Sequence, residues 1–516
     1  MLRTWLRAGL KPRRYEKMWL RAFRPALMAV VAAALSAGLA AAGADARLFD
    51  AVKRGDLTAV RTLVQRRAVV AGTEADGTTA LHWAVRSNQL EIARTLVRAG
   101  APVNVTTRYG VTPLALAAET GSLPMVDLLL TAGANAKAAN PDGETILMTA
   151  ARTGRVEVVD RLIAAGADVN AKDTWRGETA LMRAAAEDHA DVVARLVRAK
   201  AGLDVQSKNP GYPNIREDFS TMVFTAIPRG GFTSLMFAAR EGALGAAGAL
   251  VEAGADLNVA DPEGTTALVI AIINAHYDVA ELLIGKGANP NLGDSSGMAA
   301  LYATVDMAHL EPLVNRPPPP PTGKLRPVEV VALLLGHGAD ANQALKTPLL
   351  MRQHNFGDGS LGEGATPLMR AAKVSDVELM RLLLDKGADP NRAMKNGTTA
   401  LMITANRPGR GAGPVERTIG AITVLLEHGA DVNAATTNGD TALHAAVGKG
   451  DELVKFLVER GAKLDVKDKF GRTPFDVANG VPGGGRGRGG APAEPPPVFQ
   501  ATAALLKELM VARGLN

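Results

Sequence analysis

The chain of 516 residues contains no cysteine. This absence excludes disulfides, catalytic thiolates, cysteine-ligated metal clusters and c-type haem attachment. Aromatic residues are also scarce, at 4% of the sequence. Stability must therefore come from burial of aliphatic side chains, and any local cluster of aromatic residues stands out, because such residues are enriched at the cores of interfaces.

A charge excess is missing as well, once the first 46 residues are set aside. The whole chain has 58 basic and 52 acidic residues, which gives a net charge of +6. Residues 1–46 contribute eight basic and two acidic residues, so 50 of each sign remain in the rest of the chain. A neutral chain lacks the electrostatic footprint that binding to a phosphate backbone requires. Nucleic acid is therefore not an expected partner.

The N-terminal segment has the composition of a targeting sequence. Its basic residues precede an apolar run, Ala26–Ala44, and Ala44-Asp45-Ala46 fits an A-x-A cleavage site. We expect residues 1–46 to be a signal peptide of bacterial type and the mature protein to be periplasmic or secreted. The alternative is an inner-membrane anchor formed by residues 26–44, a run about long enough to span. Translation from Met18 would give a more ordinary signal than translation from Met1.

One motif of six residues recurs along the remainder with a period of 33 residues. Its copies begin at Thr79 (TALHWA), Thr112 (TPLALA), Thr145 (TILMTA), Thr179 (TALMRA), Thr233 (TSLMFA) and Thr266 (TALVIA), and its register continues at Ala299, Thr366, Thr399, Thr441 and Thr473. A period of this size indicates stacked supersecondary units, none of which buries its apolar face alone. Function is then to be sought on a surface before a pocket.

The residue types within each unit predict its local structure. The Thr caps a short helix, and a Gly two residues earlier suits a tight turn. A second apolar helix follows and ends, in most units, at a Gly 21 residues after the Thr, the expected left-handed cap. Lys200 occupies this cap position in one unit. We expect the helix to continue through Lys200, because a left-handed Lys would cost about 1 kcal/mol.

The pattern D-x-x-G-x-T-P-L-H-x-A-A through L-L-x-x-G-A-D-x-N resembles the ankyrin repeat, most closely at residues 166–197 and 428–462. The resemblance covers residues 47–516 and recurs about twelve times. It implies an all-α repeat fold, a curved solenoid of about twelve helix-turn-helix units with β-hairpin fingers. It also implies a non-enzymatic scaffold, monomeric, without a cofactor or metal, that binds a protein partner. Ankyrin arrays share no catalytic residues that could be transferred to this chain.

Five insertions interrupt the repeats. Three lie between the helices of a unit, near 306–327, 406–417 and 480–500, and their Pro- and Gly-rich compositions predict flexible loops. Two others, near 204–232 and 343–365, extend fingers and carry aromatic residues. These include Tyr212, Phe219, Phe224 and Phe356. Such residues either bind a partner or shield the neighbouring repeat.

Positions that the fold leaves free are the candidates for partner binding. On the fingers they include Tyr109, Trp175 and Arg176, and at the exposed end of a first helix they include Arg240. Both charge signs occur along these positions, which favours a protein ligand over a polyanion. Trp175 is the expected anchor, although a finger-tip Trp can also pack on its neighbour.

An enzyme is the remaining hypothesis from a different functional class. Its site would lie in the finger insertions and would use Glu217, Asp218 or His354. No nucleophile is paired with a base in the sequence, and no phosphate-binding or dinucleotide fingerprint is present. His82 and His444 lie three residues after a repeat Thr, the TxLH position whose imidazole bonds neighbouring fingers in the family that the chain resembles.

Overall fold

The computed structural model describes residues 46–66, 68–209, 230–310, 319–348, 361–406, 414–483 and 497–515. It forms two compact units, Met1–Thr174 and Trp175–Asn516. The expected signal or anchor, apart from residue 46, lies outside the described residues. Among the helices of the described residues, none is long and apolar enough to cross a membrane.

Helices account for nearly all regular structure in the described part of the chain. The first unit contains α1 (46–53), α2 (Leu57–Gln65), α3 (Ala80–Arg86), α4 (Leu90–Arg98), α5 (Pro113–Thr120), α6 (Leu123–Thr131), α7 (Ile146–Thr153) and α8 (Val156–Ala164). The second unit contains α9 (Ala180–Ala186), α10 (Ala190–Arg198), α11 (Ser234–Glu241), α12 (Leu244–Glu252), α13 (Ala267–Ile273), α14 (Tyr277–Gly285), α15 (Ala300–Met307), α16 (Pro327–Gly336), α17 (Pro367–Lys373), α18 (Val377–Asp385), α19 (Ala400–Asn406), α20 (Val415–Glu427), α21 (Ala442–Ala446), α22 (Asp451–Glu459), α23 (Pro474–Ala478) and α24 (Gln500–Ala512).

Consecutive helices pair, and the described residues contain twelve such pairs. We number them as repeats: repeat 1 is α1 with α2, repeat 5 is α9 with α10, and repeat 12 is α23 with α24. The finger of a repeat is the hairpin turn before its first helix. This arrangement confirms the predicted all-α repeat fold of about twelve units. Five fingers are closed by one antiparallel bridge each, as between Ala393 and Thr399.

The first helix of a repeat begins where the sequence predicts. Thr145, for example, has extended backbone angles, and its hydroxyl accepts a hydrogen bond from the Met148 backbone N–H at 3.3 Å. This bond satisfies a donor that the first helical turn would otherwise leave unpaired, which typically contributes about 1 kcal/mol. In the finger before it, Gly143 has φ 78°, and a Cβ there would lie 2.7 Å from the Thr174 backbone nitrogen. Only glycine fits this position.

The core of each unit runs between neighbouring repeats. First helices pack on the first helices of adjacent repeats, and second helices pack on second helices. Ala184 and Ala185 are fully buried on α9, beside Leu181, and Leu196 is fully buried on α10. Truncating such a Leu to Ala typically costs about 2–5 kcal/mol. Each repeat therefore depends on its neighbours for stability.

Asparagine side chains connect consecutive second helices in the second unit. Asn291, Asn342, Asn391 and Asn433 each donate from Nδ2 to the capping-glycine carbonyl of the following repeat and accept a backbone N–H two residues beyond it, at distances of 2.7–3.0 Å. We call these residues the asparagine ladder. In repeat 5 the corresponding residue is Asp204, which accepts from the Asp256 N–H at 3.0 Å but has no amide to donate.

Repeat 5 also departs from the rule for the helix cap. The expectation that α10 continues through Lys200 is wrong: α10 ends at Arg198, Ala199 is its C-cap, and Lys200 has φ 68°. The Lys200 N–H bonds the Val197 carbonyl at 2.9 Å, and the Ala201 N–H bonds the Leu196 carbonyl at 3.0 Å. The stacking of repeat 5 thus imposes the left-handed cap despite the unfavourable side chain.

The outermost repeats carry polar residues that are more exposed than their counterparts in inner repeats. In repeat 12, Asp476 occupies the register of His82 and His444, and it accepts from the Thr473 N–H at 2.8 Å. Asn479 is exposed in the register where Ala185 is buried in repeat 5. At the other end, Arg47, Asp50 and Arg54 of repeat 1 are exposed. Polar outer faces of this kind are what terminal capping repeats require.

Candidate functional site

The finger tips project from a rigid base. Within the second unit, the backbone N–H of one tip donates to the carbonyl of the preceding tip. Such bonds join Lys208 to Arg176 (2.6 Å), Ser295 to Glu263 (2.7 Å), Lys395 to Glu363 (2.9 Å) and Lys469 to Asn438 (2.7 Å). Because the backbone is fixed in this way, side chains at the tips are presented to a ligand with little loss of backbone entropy.

Trp175 and Arg176 form the tip of the finger in repeat 5. The Trp175 side chain is 67% exposed, and the guanidinium carbon of Arg176 lies 4.3 Å from its ring centroid. Arg176 also lies 3.7 Å from a carboxylate oxygen of Glu178, whose other oxygen contacts Arg183 at 2.9 Å. The two residues that the sequence singled out here are therefore in contact with each other.

A second tip of the same construction lies in the first unit. Tyr109 is 61% exposed, and the guanidinium carbon of Arg108 lies 4.7 Å from the ring centroid. Arg108 donates to the Tyr109 hydroxyl, and its backbone N–H bonds the Asp76 carbonyl of the preceding finger at 2.8 Å. Tyr109 is thus an exposed ring on a fixed backbone, as a binding role requires.

A third tip of this construction, in repeat 12, carries Phe470. Phe470 is 45% exposed, and Lys469 Nζ lies 5.0 Å from its ring centroid. Arg472 stacks at 5.4 Å and is itself paired with Asp468 at 2.7 Å. A basic residue next to an aromatic one at the tip is the signal common to all three fingers. Each stacked pair is worth about 0.5–1 kcal/mol at an exposed site.

Arg240 lies at the end of a first helix and is less accessible than the tips. Its guanidinium carbon is 4.9 Å from the Phe237 ring and 5.8 Å from the Phe232 ring, and its Nε bonds Glu241 at 2.6 Å. The Arg240 carbonyl accepts from His276 Nε2 at 3.0 Å. These contacts give Arg240 a packing role within α11, and its contribution to partner binding stays a prediction.

The remaining candidates fall in the two finger insertions. Tyr212, Phe219, Phe224 and Phe356 lie outside the described residues, as do Glu217, Asp218 and His354. The bases of both insertions are described. Ser207 and Phe232 exchange two hydrogen bonds of 3.0 Å, and Leu345 bonds both Gly364 (2.8 Å) and Ala365 (2.9 Å). Each insertion therefore leaves its finger through a closed hairpin base.

The described histidines serve the fold. His82 and His444 are buried, and each contacts the hydroxyl of its own repeat Thr through Nδ1. Their Nε2 atoms reach carbonyls in the following finger, Val111 at 3.0 Å and Arg472 at 3.2 Å, so the predicted link between fingers is confirmed. Burial lowers the pKa of both imidazoles below the ordinary value of 6.5. Within the described residues, no cluster of His, Asp or Glu has the arrangement of a metal site.

These features define a helical repeat protein whose accessible chemistry lies on finger tips. The chain matches the family model for ankyrin repeats (three copies) at residues 48–140, 114–209, 221–311, 324–410 and 415–480, which is more than half of its length. The chain therefore belongs to the ankyrin-repeat family, whose members typically act as non-enzymatic modules and mediate protein–protein interactions.

Solved structures also match the chain. One is the crystal structure of the human ASB11 ankyrin repeat domain, which shares 25% sequence identity, covers 46% of this chain and 96% of that chain, and gives a TM-score of 0.39. No curated protein is significantly similar to the chain.

Proposed function

We propose that the protein is a non-enzymatic scaffold of the bacterial cell envelope that binds a protein partner through its finger tips and the exposed ends of its first helices. The observation that carries this proposal is the exposed Trp175 ring, which is backed by Arg176 on a hydrogen-bonded backbone. Rigid aromatic and arginine side chains are the residues most enriched among binding hot spots. The neutral charge of residues 47–516 favours a protein over a nucleic acid as partner.

Affinity capture from an envelope extract, with the mature chain immobilised, tests the binding role. We expect one or a few proteins to be retained by the unmodified chain. Trp175→Ala combined with Tyr109→Ala should reduce retention, since each anchor contributes at least about 1–2 kcal/mol. Lys455→Gln, on the exposed face of α22, is the control that should bind normally. Equal retention by all variants would contradict a role for the tips.

The finger insertions extend the same proposal. We expect Phe219→Ala with Phe224→Ala, or Phe356→Ala, to weaken capture by about 1–2 kcal/mol per anchor. The control is a shortened proline-rich loop. That deletion should be confined to residues 315–318, because Thr322 donates its hydroxyl to Asp278 and its N–H to the Ala275 carbonyl, 2.9 Å away. If capture survives all the Phe variants while helicity is intact, the insertions only shield their neighbours.

Export is the second part of the proposal, and the N-terminal composition supports it. Intact-mass analysis of the native protein should give an N-terminus near Arg47, in the periplasm or the medium. The alternative is a scaffold tethered to the inner membrane by residues 26–44, in which case the full-length chain would sediment with membranes. A full-length chain found solely in the cytoplasm would contradict both.

A further inference from the structure

The finger of repeat 5 separates its charges by depth. Its carboxylate, Glu178, is only 4% exposed. The cationic Arg176 and the adjacent Lys208 are both exposed. A ligand approaching this tip therefore meets positive charge around the Trp175 ring, although the chain as a whole is neutral outside its first 46 residues. Local potential at an exposed cluster steers oppositely charged ligands.

The stacking geometry determines how a ligand can use this charge. An arginine that stacks on an indole keeps its N–H groups in the plane of the guanidinium, where a carboxylate can bind them in pairs. The Arg176 side chain is 57% exposed; one of its nitrogens lies 3.7 Å from Glu178, whose other oxygen lies 2.9 Å from Arg183. Trp175, at 67% exposure, adds a broad apolar surface directly beside the guanidinium. The site thus combines a carboxylate-binding edge with an apolar platform.

We infer that the Trp175–Arg176 tip recognises an acidic peptide segment of the partner, one in which an Asp or Glu lies next to an apolar or aromatic side chain. The carboxylate would bind the edge of the Arg176 guanidinium, and the apolar side chain would lie on Trp175. This inference rests on the proposed binding function and names its chemistry. A basic segment would be repelled by Arg176 and Lys208. A nucleic acid would need an extended basic surface, which the neutral array lacks.

The experiment selects ligands directly, so that it does not depend on finding the natural partner. A phage-displayed library of random dodecapeptides is panned against the full chain, and the enriched peptides are synthesised with a fluorescent label for anisotropy titration. We expect Asp or Glu next to Leu, Phe, Tyr or Trp in the enriched set. Trp175→Ala and Arg176→Gln should each weaken binding at least about tenfold. Arg392→Gln, an exposed arginine elsewhere in the second unit, should leave the affinity unchanged.

Two further measurements separate this inference from its competitors. Raising the ionic strength from about 0.05 M to about 0.5 M should weaken the selected peptides, since exposed charge pairs are screened. Enrichment of basic or uncharged peptides, no enrichment at all, or binding that survives both substitutions would overturn the inference. An oligothymidylate that binds more tightly than any selected peptide, and loses binding in Trp175→Ala, would overturn it in favour of a polyanion.

The outcomes also separate the inference from the proposed function. Capture of an envelope protein that no acidic peptide displaces would leave the scaffold function standing and this inference refuted. Loss of all capture, together with Trp175-dependent binding of acidic peptides, would refute the envelope scaffold and leave the tip chemistry intact.

Discussion

Repeat 5 and repeat 9 have the same parts in the same register, yet their polar residues are used differently. Both carry an arginine four residues after the repeat Thr. In repeat 9, Arg370 bonds Asp306 of the preceding repeat at 2.7 Å and the His309 carbonyl at 3.1 Å, with both charged side chains less than 10% exposed. In repeat 5, Arg183 is 29% exposed and bonds Glu178 of its own finger.

The same contrast extends to the end of the second helix. Repeat 9 ends with Gly387 in the left-handed cap, at φ 93°, and with Asn391 in the ladder, whereas repeat 5 has Lys200 and Asp204 at these positions. The polar side chains of Arg370 and Asn391 in repeat 9 thus form hydrogen bonds to neighbouring repeats. Repeat 5 forgoes part of that stabilisation and holds an exposed Trp175 on its finger. Local departures from a fold's own rules tend to coincide with functional positions, and the comparison makes repeat 5 a candidate for such a position.

The largest effect should come from the arginines themselves. Arg370→Ala would remove the ion pair of the buried Asp306, and we expect a loss of about 3–5 kcal/mol. Arg183→Ala should cost less, about 1–2 kcal/mol, because the buried Glu178 keeps its contact with Arg176 at 3.7 Å and Arg183 is itself 29% exposed. Hydrogen exchange in α15, α17 and α9, read residue by residue, reports these local losses even when a long array unfolds in several steps.

A third substitution is the control for the effect of removing an ion pair at an exposed position. Lys395 pairs with Glu363 at 2.7 Å, but its side chain is 74% exposed. Lys395→Ala should therefore change stability by less than about 1 kcal/mol. If Arg370→Ala and Arg183→Ala cause equally small losses of stability, the structural difference between repeats 5 and 9 does not correspond to a difference in stability.

The asparagine ladder gives the next largest effect. Asn391→Ala removes one donated and one accepted hydrogen bond, and at about 0.5–1.5 kcal/mol each we expect a loss of about 1–3 kcal/mol. In the opposite direction, Asp204→Asn supplies the missing amide and should stabilise the chain by about 0.5–1 kcal/mol. Urea unfolding midpoints of the two variants would show shifts of opposite sign. A destabilised Asp204→Asn would mean that the carboxylate has a role which the ladder does not explain.

Helix caps supply a smaller, reciprocal pair of substitutions. Lys200→Gly relieves a left-handed side-chain conformation and should stabilise repeat 5 by about 1 kcal/mol, less the entropy that glycine adds to the unfolded chain. Gly387→Lys should destabilise repeat 9 by a similar amount, since no neighbouring atom would clash with the added Cβ. Thermal midpoints give both values. Partner capture by Lys200→Gly then shows whether binding depends on the relaxed repeat.

Sequence pattern alone predicted the repeat architecture because its determinants are local. A Thr that caps a helix, as at Thr145, or a Gly with positive φ in a tight turn, as at Gly143, acts within a few residues of its position. Lys200 was mispredicted because a cap penalty of about 1 kcal/mol is smaller than the packing energy of the repeat that imposes it. Propensity gives way to tertiary stacking in such cases.

The candidate site was predictable only in part. Exposure of Tyr109 and Trp175 follows from their register at the finger tips. The stacking of Arg108 and Arg176 on these rings depends on side-chain conformation, which no periodicity encodes. The Asp306–Arg370 pair joins residues 64 apart in sequence. Because insertions separate these two repeats, the repeat period of 33 residues does not predict that Asp306 and Arg370 are in contact.

A histidine link joins the second helices of repeats 9 and 10. His428, at the end of α20, lies 3.0 Å from Asp385 of repeat 9 through Nε2 and 2.8 Å from the Val424 carbonyl through Nδ1. The hydrogen bond to Val424, and then the one to Asp385, raise the pKa of His428 above 6.5. The corresponding residues at the end of repeats 5 and 6 are Ala199 and Ala253, which cannot form this pair.

The pH dependence of this link has a definite sign. A raised pKa in the folded state means that the link contributes fully below pH 6.5 and is lost as the pH rises through the raised value. His428→Gln should therefore cost more at pH 6 than at pH 8, by about 0.5 kcal/mol for a largely solvated pair. His337, which bonds only the Leu333 carbonyl at 2.9 Å among its described contacts, provides the control in the same register.

His444 should respond in the opposite direction, and this opposition separates a specific link from a general effect of acid. Its Nδ1 accepts a hydrogen bond from the Thr441 N–H at 3.2 Å, so the proton of the neutral ring is on Nε2. This Nε2–H donates to the backbone carbonyl of Arg472. Because burial lowers the pKa of His444, its contribution is present above pH 6.5 and declines as the pH falls below that value. His444→Gln should then cost more at pH 8 than at pH 6. The unfolding midpoints of His428→Gln and His444→Gln are measured at pH 6 and pH 8. If both variants lose more stability at the same pH, the link between His428 and Asp385 does not hold repeats 9 and 10 together.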